Sequence, residues 1–438
     1  MKQLVLLMAP VSTVSGYGAR SRDIALSLIK SDKYEVKIWP TRWGSTPMNA
    51  LNEQDPEHKL IIDRLLMEPN LDRQPDIFIQ ITVPNEFQRL GKYNIGITAG
   101  IETTIAAAPW IEGCNRMDLV LTSSEHAKNT FLNSSYEQRD KGGNVVGVLN
   151  IQKPIEVLFE GVDLTKYFQT KEIHKTVADE LSAIKEDFVF LFVGHWLNGD
   201  FGEDRKNVSA LIKTFIETFK HKVSTNRPAL LLKTSHADFS PVDKADIINK
   251  LQQIYKSCTG NNLPNVYLLH GDLTDEEMNS LYNHPKVKAH ITFTKGEGYG
   301  RPLAEASVSQ KVIIAPNWSG HIDFLKDAVF LPGHLTNVHH SAAWKDMILS
   351  ESQWFTVDYG YASAAMKDVF EDIKKFDVTA KKQATRIRKE FNLEAMQSKL
   401  LGYLDQYAPK QVQLTLPKLK KVETTNTIEL PKLKNITT

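Results

Sequence analysis

The chain has 438 residues, of which 42% are hydrophobic and 24% charged, and carries a formal net charge of +1. That length exceeds one core's usual size, so two domains and a tail are expected, and the balanced charge gives no global pull toward nucleic acid or a membrane surface. Cys114 and Cys258 are isolated thiols, which argues against a disulfide framework or a metal knuckle and fits a reducing, cytoplasmic setting. The opening MKQLVLLMAPV lacks a small-residue cleavage pattern, and no apolar run reaches the ~18 residues that a membrane span requires.

Residues 3–8 read as the first strand. Ser15, Gly16, Tyr17 and Gly18 then form a Gly loop entering an amphipathic helix over 19–29, a helix start that favours a phosphate. Residues 35–39 read as strand two and empty into 40–44. Ligands of open α/β sheets collect at strand C-terminal ends, which makes Trp39, Arg42 and Trp43 candidates for lining a ligand site. Residues 76–82, 93–98 and 118–123 continue the strands, with a helix over 125–132, the alternation of a doubly wound domain. A strand over 155–159 and a hydrophilic helical connector over 170–185 follow.

The second half opens with the apolar strand 188–193, then Gly194-His195 and the loop WLNGDFGED before Arg205-Lys206-Asn207. Residues 229–232 form the next strand, and Lys233 leaves it on the cleft side as a candidate phosphate contact. Pro241 starts a helix, 265–269 is a strand, and TDEE at 274–277 makes a capping box. His270 reads as structural. Residues 287–294 (VKAHITFT) are β-rich enough for a buried parallel strand. The join to the next helix is Gly296-Glu297-Gly298-Tyr299-Gly300, whose glycines permit positive φ and a close ligand approach. Pro302 suits the first helical position, so the amides from Tyr299 through Arg301 to Leu303 are expected to face an anion. Glu297 and Glu305 flank that pocket, and carboxylates there are suited to accept hydrogen bonds from neighbouring sugar or ribose hydroxyls.

Glu-Gly-aromatic-Gly-x-Pro, with a second Glu eight residues after the first, resembles the E-x7-E motif of the family-4 retaining glycosyltransferases. Residues 311–315 (KVIIA) and Asn317-Trp318-Ser319-Gly320 are similar to that family's next strand and Gly loop. The resemblance implies an α/β GT-B fold: two Rossmann-like doubly wound domains facing a cleft, with a last helix crossing back. It implies boundaries of 1–165 for an acceptor-side domain, closing on the Gly161-Val162-Asp163 turn, and 166–378 for a nucleotide-sugar donor domain. Residues 379–408 would be the returning helix.

The resemblance also implies roles. Glu297 would hold the donor sugar, Glu305 the nucleotide ribose, and Gly298, Tyr299, Gly300, Arg301, Pro302 and Leu303 the diphosphate, with the loop at Gly16 and Gly18 approaching from the other domain. The family has Gly-Arg where this chain has Gly194-His195, and a Lys several residues later. Lys206 is the first choice for that cation and Arg205 the second, because fixed cations stabilise the departing diphosphate. The family often places a His within 98–104; none is present here, and Glu102 is the nearest polar candidate. Whether it contacts sugar, orients acceptor or caps a helix stays open.

The expected donor is a UDP- or GDP-sugar, with retention and no required metal. The acceptor is open: glycan, small molecule, lipid-linked sugar, protein side chain or nucleic-acid base. Two other readings are a sugar-nucleotide epimerase or phosphorylase of the same fold, and a catalytically silent nucleotide- or nucleic-acid-binding protein. The latter draws on the charge distribution: residues 1–165 carry 17 basic against 20 acidic side chains, whereas 378–438 carry 12 against 5. Lys381, Lys382, Arg386, Arg388 and Lys389 make a basic run on a helix expected over 379–407, following one over 361–375. The tail from residue 409 contains the repeat LPKLKKVETT (416–425) and LPKLKNITT (430–438), has too little apolar content to fold alone and reads as an extended or disordered tether.

Overall fold

The computed structural model describes residues 2–68, 70–223, 226–236, 239–260 and 262–410. In the first half the chain forms β1 (Gln3–Ala9), β2 (Tyr34–Pro40), β3 (Ile77–Ile81), β4 (Tyr93–Thr98) and β5 (Leu119–Thr122). A hairpin of β6 (Tyr136–Arg139) and β7 (Val145–Leu149) and then β8 (Ile155–Val157) follow. All but the hairpin join one parallel sheet in the order β2-β1-β3-β4-β5-β8. The second half supplies β9 (Val189–Val193), β10 (Ala229–Lys233), β11 (Val266–Leu269), β12 (Val287–Ile291), β13 (Val312–Pro316) and β14 (Val329–Leu331). These make a second parallel sheet, ordered β11-β10-β9-β12-β13-β14.

Helices cover both faces of each sheet. That is why central strands such as VFLFV and VIIAP are apolar without alternation, and why β13 is buried along its whole length. One apolar cluster runs from Val5, Leu7 and Leu28 through Leu158 into Leu191, Leu231 and Ile313, so the two sheets share core packing. In the second sheet the strand order reverses between β9 and β12. A crevice opens at such a point, and the stretches leaving these two strands carry Arg205-Lys206 and the glycine turn.

Two expectations change. The helix expected over 379–407 is broken into Asp377–Glu390 and Leu393–Tyr407. Phe391 closes the first and Asn392 caps the second, its side chain accepting from Ala395 N at 2.8 Å. The break is pinned by the first sheet's exit turn: Val162 N donates to Phe391 O at 2.9 Å and Leu393 N to Val162 O at 2.9 Å. The helix expected over 361–375 stops at Glu371 and continues as a 3-10 turn, Ile373–Phe376. The last helix does return to the first sheet, with Tyr403 Oη donating to Val157 O at 3.0 Å and Tyr407 Oη to Glu156 at 2.6 Å.

A second hairpin, β15 (Gly333–Asn337) and β16 (Gln353–Val357), carries a long connection. Met347 and Leu349 of that connection pack against the Trp110, Ile111 and Phe131 cluster beside the first sheet. Thr104 N donates to Gln353 O at 2.9 Å, and Gln353 N donates to Thr104 Oγ1 at 2.9 Å. No described helix is long and apolar enough to cross a membrane. Of the basic tail only Pro409 and Lys410 are among the described residues, and its repeat lies outside them.

Candidate active site

The glycine turn links β12 to the helix Arg301–Val308. Only Gly300 has a positive φ, +98°. At Gly296 and Gly298 the constraint is space: a Cβ would fall 2.1 Å from Glu102 O at the first and 2.8 Å from Ala99 O at the second. The turn therefore lies backbone to backbone against the loop after β4, and glycine is what lets the two sheets approach.

Glu297 is buried between two cations. Lys206 Nζ donates to Oε1, and Arg205 Nη1 stands 3.6 Å from Oε2. Arg205 Nη1 also donates to Gly296 O at 3.0 Å and pairs with Glu102 at 3.2 Å, so this guanidinium joins the two strand ends. Glu297 N donates to Ser319 Oγ at 2.9 Å, which ties the turn to the Gly loop after β13. Burial opposes ionisation of Glu297, but Lys206 and then Arg205 outweigh it and hold the carboxyl at about 2. Asn207, in the left-handed region at φ 54°, turns the chain from Lys206 into the helix Val208–Phe219.

Glu305 has the opposite balance. Its Oε1 accepts from Arg301 Nε at 2.8 Å and Oε2 from Tyr282 at 3.5 Å, yet burial pushes the carboxyl up to about 7. Arg301 remains a cation because Asp23 and Glu305 offset the burial. Its Nη1 donates to Asp23 Oδ2 at 2.8 Å, on the helix Gly16–Lys30. Tyr299 and Leu303 are core residues, and Tyr299 packs on Phe324 with ring centroids 4.8 Å apart. Its phenolic oxygen is buried without a partner in the structure, in the field of Glu160 and Arg20. Pro302 occupies the first turn of its helix.

The other expected contacts are arranged less uniformly. His195 has an exposed edge, and its Nδ1 is 3.2 Å from Ser235 Oγ. Desolvation in the cleft, then Lys206, Arg205 and Lys233, hold its pKa below the usual histidine value. It offers a hydrogen bond where an arginine would offer charge. Lys233 donates to Gly271 O at 2.7 Å and lies over the Phe239 ring at 5.0 Å. His270 is bound to Asp243 at 2.7 Å, as a structural residue would be.

The Gly loop expected at 15–18 is instead a helix start: Ser15 caps the helix Gly16–Lys30, and Gly18 N donates to its side chain at 2.9 Å, so that amide is already engaged. A Cβ at Gly18 would fall 2.2 Å from Thr13 O, whereas Gly16 has open space around it. Tyr17 between them stacks on Trp43 at 3.8 Å, meets Thr98 Oγ1 at 3.1 Å and accepts from Ala99 N at 3.0 Å. Arg42 is exposed, and Trp39 lines a separate pocket with Leu6, Leu66 and Leu71.

Sequence reasoning missed His126. It lies in the first turn of the helix after β5, its ring edge-on to Trp318 at 4.6 Å, with Nε2 buried and unpartnered. Burial pushes its pKa down to about 4. A cavity of about 420 Å³ beside it is lined by Thr104, Asn129, Trp318, Ser319 and Ile322. The available signal was the Ser-Ser-Glu-His run, a helix cap directly after a strand end.

Two parallel sheets of this order, with their strand-end loops apposed, define the GT-B fold of glycosyltransferases. No family model and no curated protein sequence matches the chain. Among solved structures it is similar to sucrose-phosphate synthase from Thermosynechococcus elongatus, at 11% identity and TM-score 0.61 over 92% of this chain and 99% of that one. An α,α-trehalose-phosphate synthase (UDP-forming) from Burkholderia xenovorans, in complex with glucose-6-phosphate, matches at 11% identity and TM-score 0.60 over 92% and 100%. Anabaena HepE in complex with UDP-glucose matches at 11% and TM-score 0.58 over 92% and 99%.

Proposed function

We propose that the chain is a nucleotide-sugar-dependent glycosyltransferase of the retaining, family-4 type. It transfers a sugar from a UDP- or GDP-sugar to an acceptor hydroxyl between the two sheets. The observation that carries this reading is Glu297, kept ionised at the end of β12 by Lys206 and Arg205. The UDP-glucose and glucose-6-phosphate bound in two similar structures support it. In this reading residues 1–165 are the acceptor side, 166–378 the donor side, 379–408 the return segment and 409–438 a basic tail.

Each residue then has a physical task. Glu297 accepts hydrogen bonds from the sugar's hydroxyls and fixes the ring's orientation. Lys206 and Arg205 exchange part of their contact with Glu297 for the diphosphate and stabilise the charge it gains as the sugar's C–O bond breaks. They supply positive charge without an obligatory metal ion. Glu305 accepts from the ribose, and the Gly300–Leu303 helix start faces the phosphates. Glu102, tied to Arg205 from the opposite loop, positions that cation and borders the acceptor.

The test is a nucleotide-release assay with a panel of UDP- and GDP-sugars and pooled glycan, small-molecule, protein and nucleic-acid acceptors. Acceptor-dependent release of UDP or GDP is expected. No release with any donor, together with salt-sensitive binding to nucleic acid, would replace transfer by a binding function.

A further inference from the structure

The loop between β9 and Arg205 crosses to the connection between β15 and β16. Asp200 N donates to Ser341 Oγ at 2.9 Å, so the two segments already touch. Around that contact stand the Asp200 carboxylate and the His339 and His340 rings. One ligand atom from each lies within 4.8 Å of the other two. The rings are 4.1 Å apart, Asp200 Oδ2 is 3.8 Å from His339 Nδ1, and Ser341 Oγ lies 2.8 Å from that same nitrogen. Among the described residues, no lysine or arginine pairs with Asp200, so its charge is not neutralised by a fixed cation.

Two imidazoles and a carboxylate are a donor set for a borderline divalent metal, and Zn2+ is held this way when a water completes the tetrahedron. Bonds of ~2.1 Å place tetrahedral ligand atoms roughly 3.4 Å apart, so the trio has to draw in by about 1 Å. Asp200 and His340 are exposed and have room to do so.

We infer that Asp200, His339 and His340 bind a divalent transition-metal ion that clamps the loop ahead of Arg205 to the β15–β16 connection. The clamp is structural. One side leads in five residues to the Arg205-Lys206 pair, and the other carries Met347 and Leu349 on the Trp110 cluster of the first sheet. A bound ion therefore links the position of the cations to the contact between the sheets. The site draws on residues about 140 positions apart, so no local spacing announces it.

The experiment takes the full-length chain, strips it with a chelator and titrates Co2+, then competes with Zn2+. One equivalent is expected, with the intense visible absorption of a low-coordinate nitrogen and oxygen site, displaced by Zn2+. Asp200→Asn and the double variant His339→Ala/His340→Ala should each weaken binding by about a hundredfold. Zn2+ should slow proteolysis within residues 196–204 of the unmodified chain and leave both variants unprotected. No stoichiometric binding, binding unchanged in the variants, or binding without protection of the loop would each overturn the inference. These are surface side chains, and an unaltered metal-free Tm in the variants confirms that loss of binding is not loss of fold.

Discussion

At the C-terminal end of the second sheet stand two groups of paired charge, Glu297 with Arg205 and Lys206, and Glu305 with Arg301. At the corresponding end of the first sheet stand Tyr17 stacked on Trp43, Thr98, the neutral ring of His126, and Glu102, whose partner Arg205 comes from across the cleft. Fixed charge suits a ligand that is itself charged and changes charge during reaction. Stacked rings and hydroxyls suit an uncharged partner held by shape. On the proposed function, phosphate chemistry belongs to the charged edge and recognition of the second substrate to the other.

The sharpest way to break this comparison is Glu297→Gln, which keeps shape and removes charge. Transfer should fall about a thousandfold, with the circular dichroism spectrum unchanged; near-normal nucleotide release would remove the second sheet's edge from the chemistry. Lys206→Met should lower kcat about a hundredfold and leave the acceptor KM nearly unchanged, as a cation acting on the leaving group predicts.

Gly296→Ala probes the contact between the edges. Its new Cβ meets the Glu102 carbonyl, so the loops must separate, and urea unfolding should show a loss of about 2 kcal/mol with a smaller fall in kcat than Lys206→Met. Trp43→Ala should raise the acceptor KM about fivefold, the worth of one aromatic contact of about 1 kcal/mol, while nucleotide affinity measured by calorimetry stays constant.

The smallest effect separates the two carboxylates of the second edge. Glu305 titrates near 7, raised by burial, so it is an ionised acceptor above that pH and protonated below it. UDP or GDP affinity should weaken about threefold from pH 8 to pH 6 and become flat in Glu305→Gln. The linked stability has the reverse sign. A raised carboxyl pKa favours the folded state when protonated, so its contribution is present at low pH and lost as pH rises through about 7. Glu297, held at about 2, stays ionised throughout that window.

The strands at β9, β10, β12 and β13 were legible because burial on both faces leaves uninterrupted apolar runs. The glycine turn was legible because its constraints fall within nine residues. The second sheet's charges shared that advantage in part: Glu297 and Glu305 declare themselves locally. Arg301 did not declare its partner Asp23, 278 positions away, nor Glu102 its tie to Arg205. His126 looked like an ordinary residue in a helix's first turn until Trp318 came against it. The β15–β16 hairpin has mixed composition and is stabilised by what it touches across the cleft. The break at Asn392 was written in the local cap but was outweighed by the helical periodicity on either side.

That break has a consequence for how the molecule is made. Gly161 is packed so closely on Asn392 and Leu393 that a Cβ would fall 2.6 Å from both, and Val162 exchanges two backbone hydrogen bonds with the same segment. The first sheet thus waits for residues 391–407 to close its exit turn and cover β8. During synthesis the N-terminal half emerges with that seam unsewn, and it is completed only after the whole second sheet has been translated. Cutting the chain after Glu390 would therefore damage the end of the molecule made first, and protease sensitivity should appear around residues 156–163.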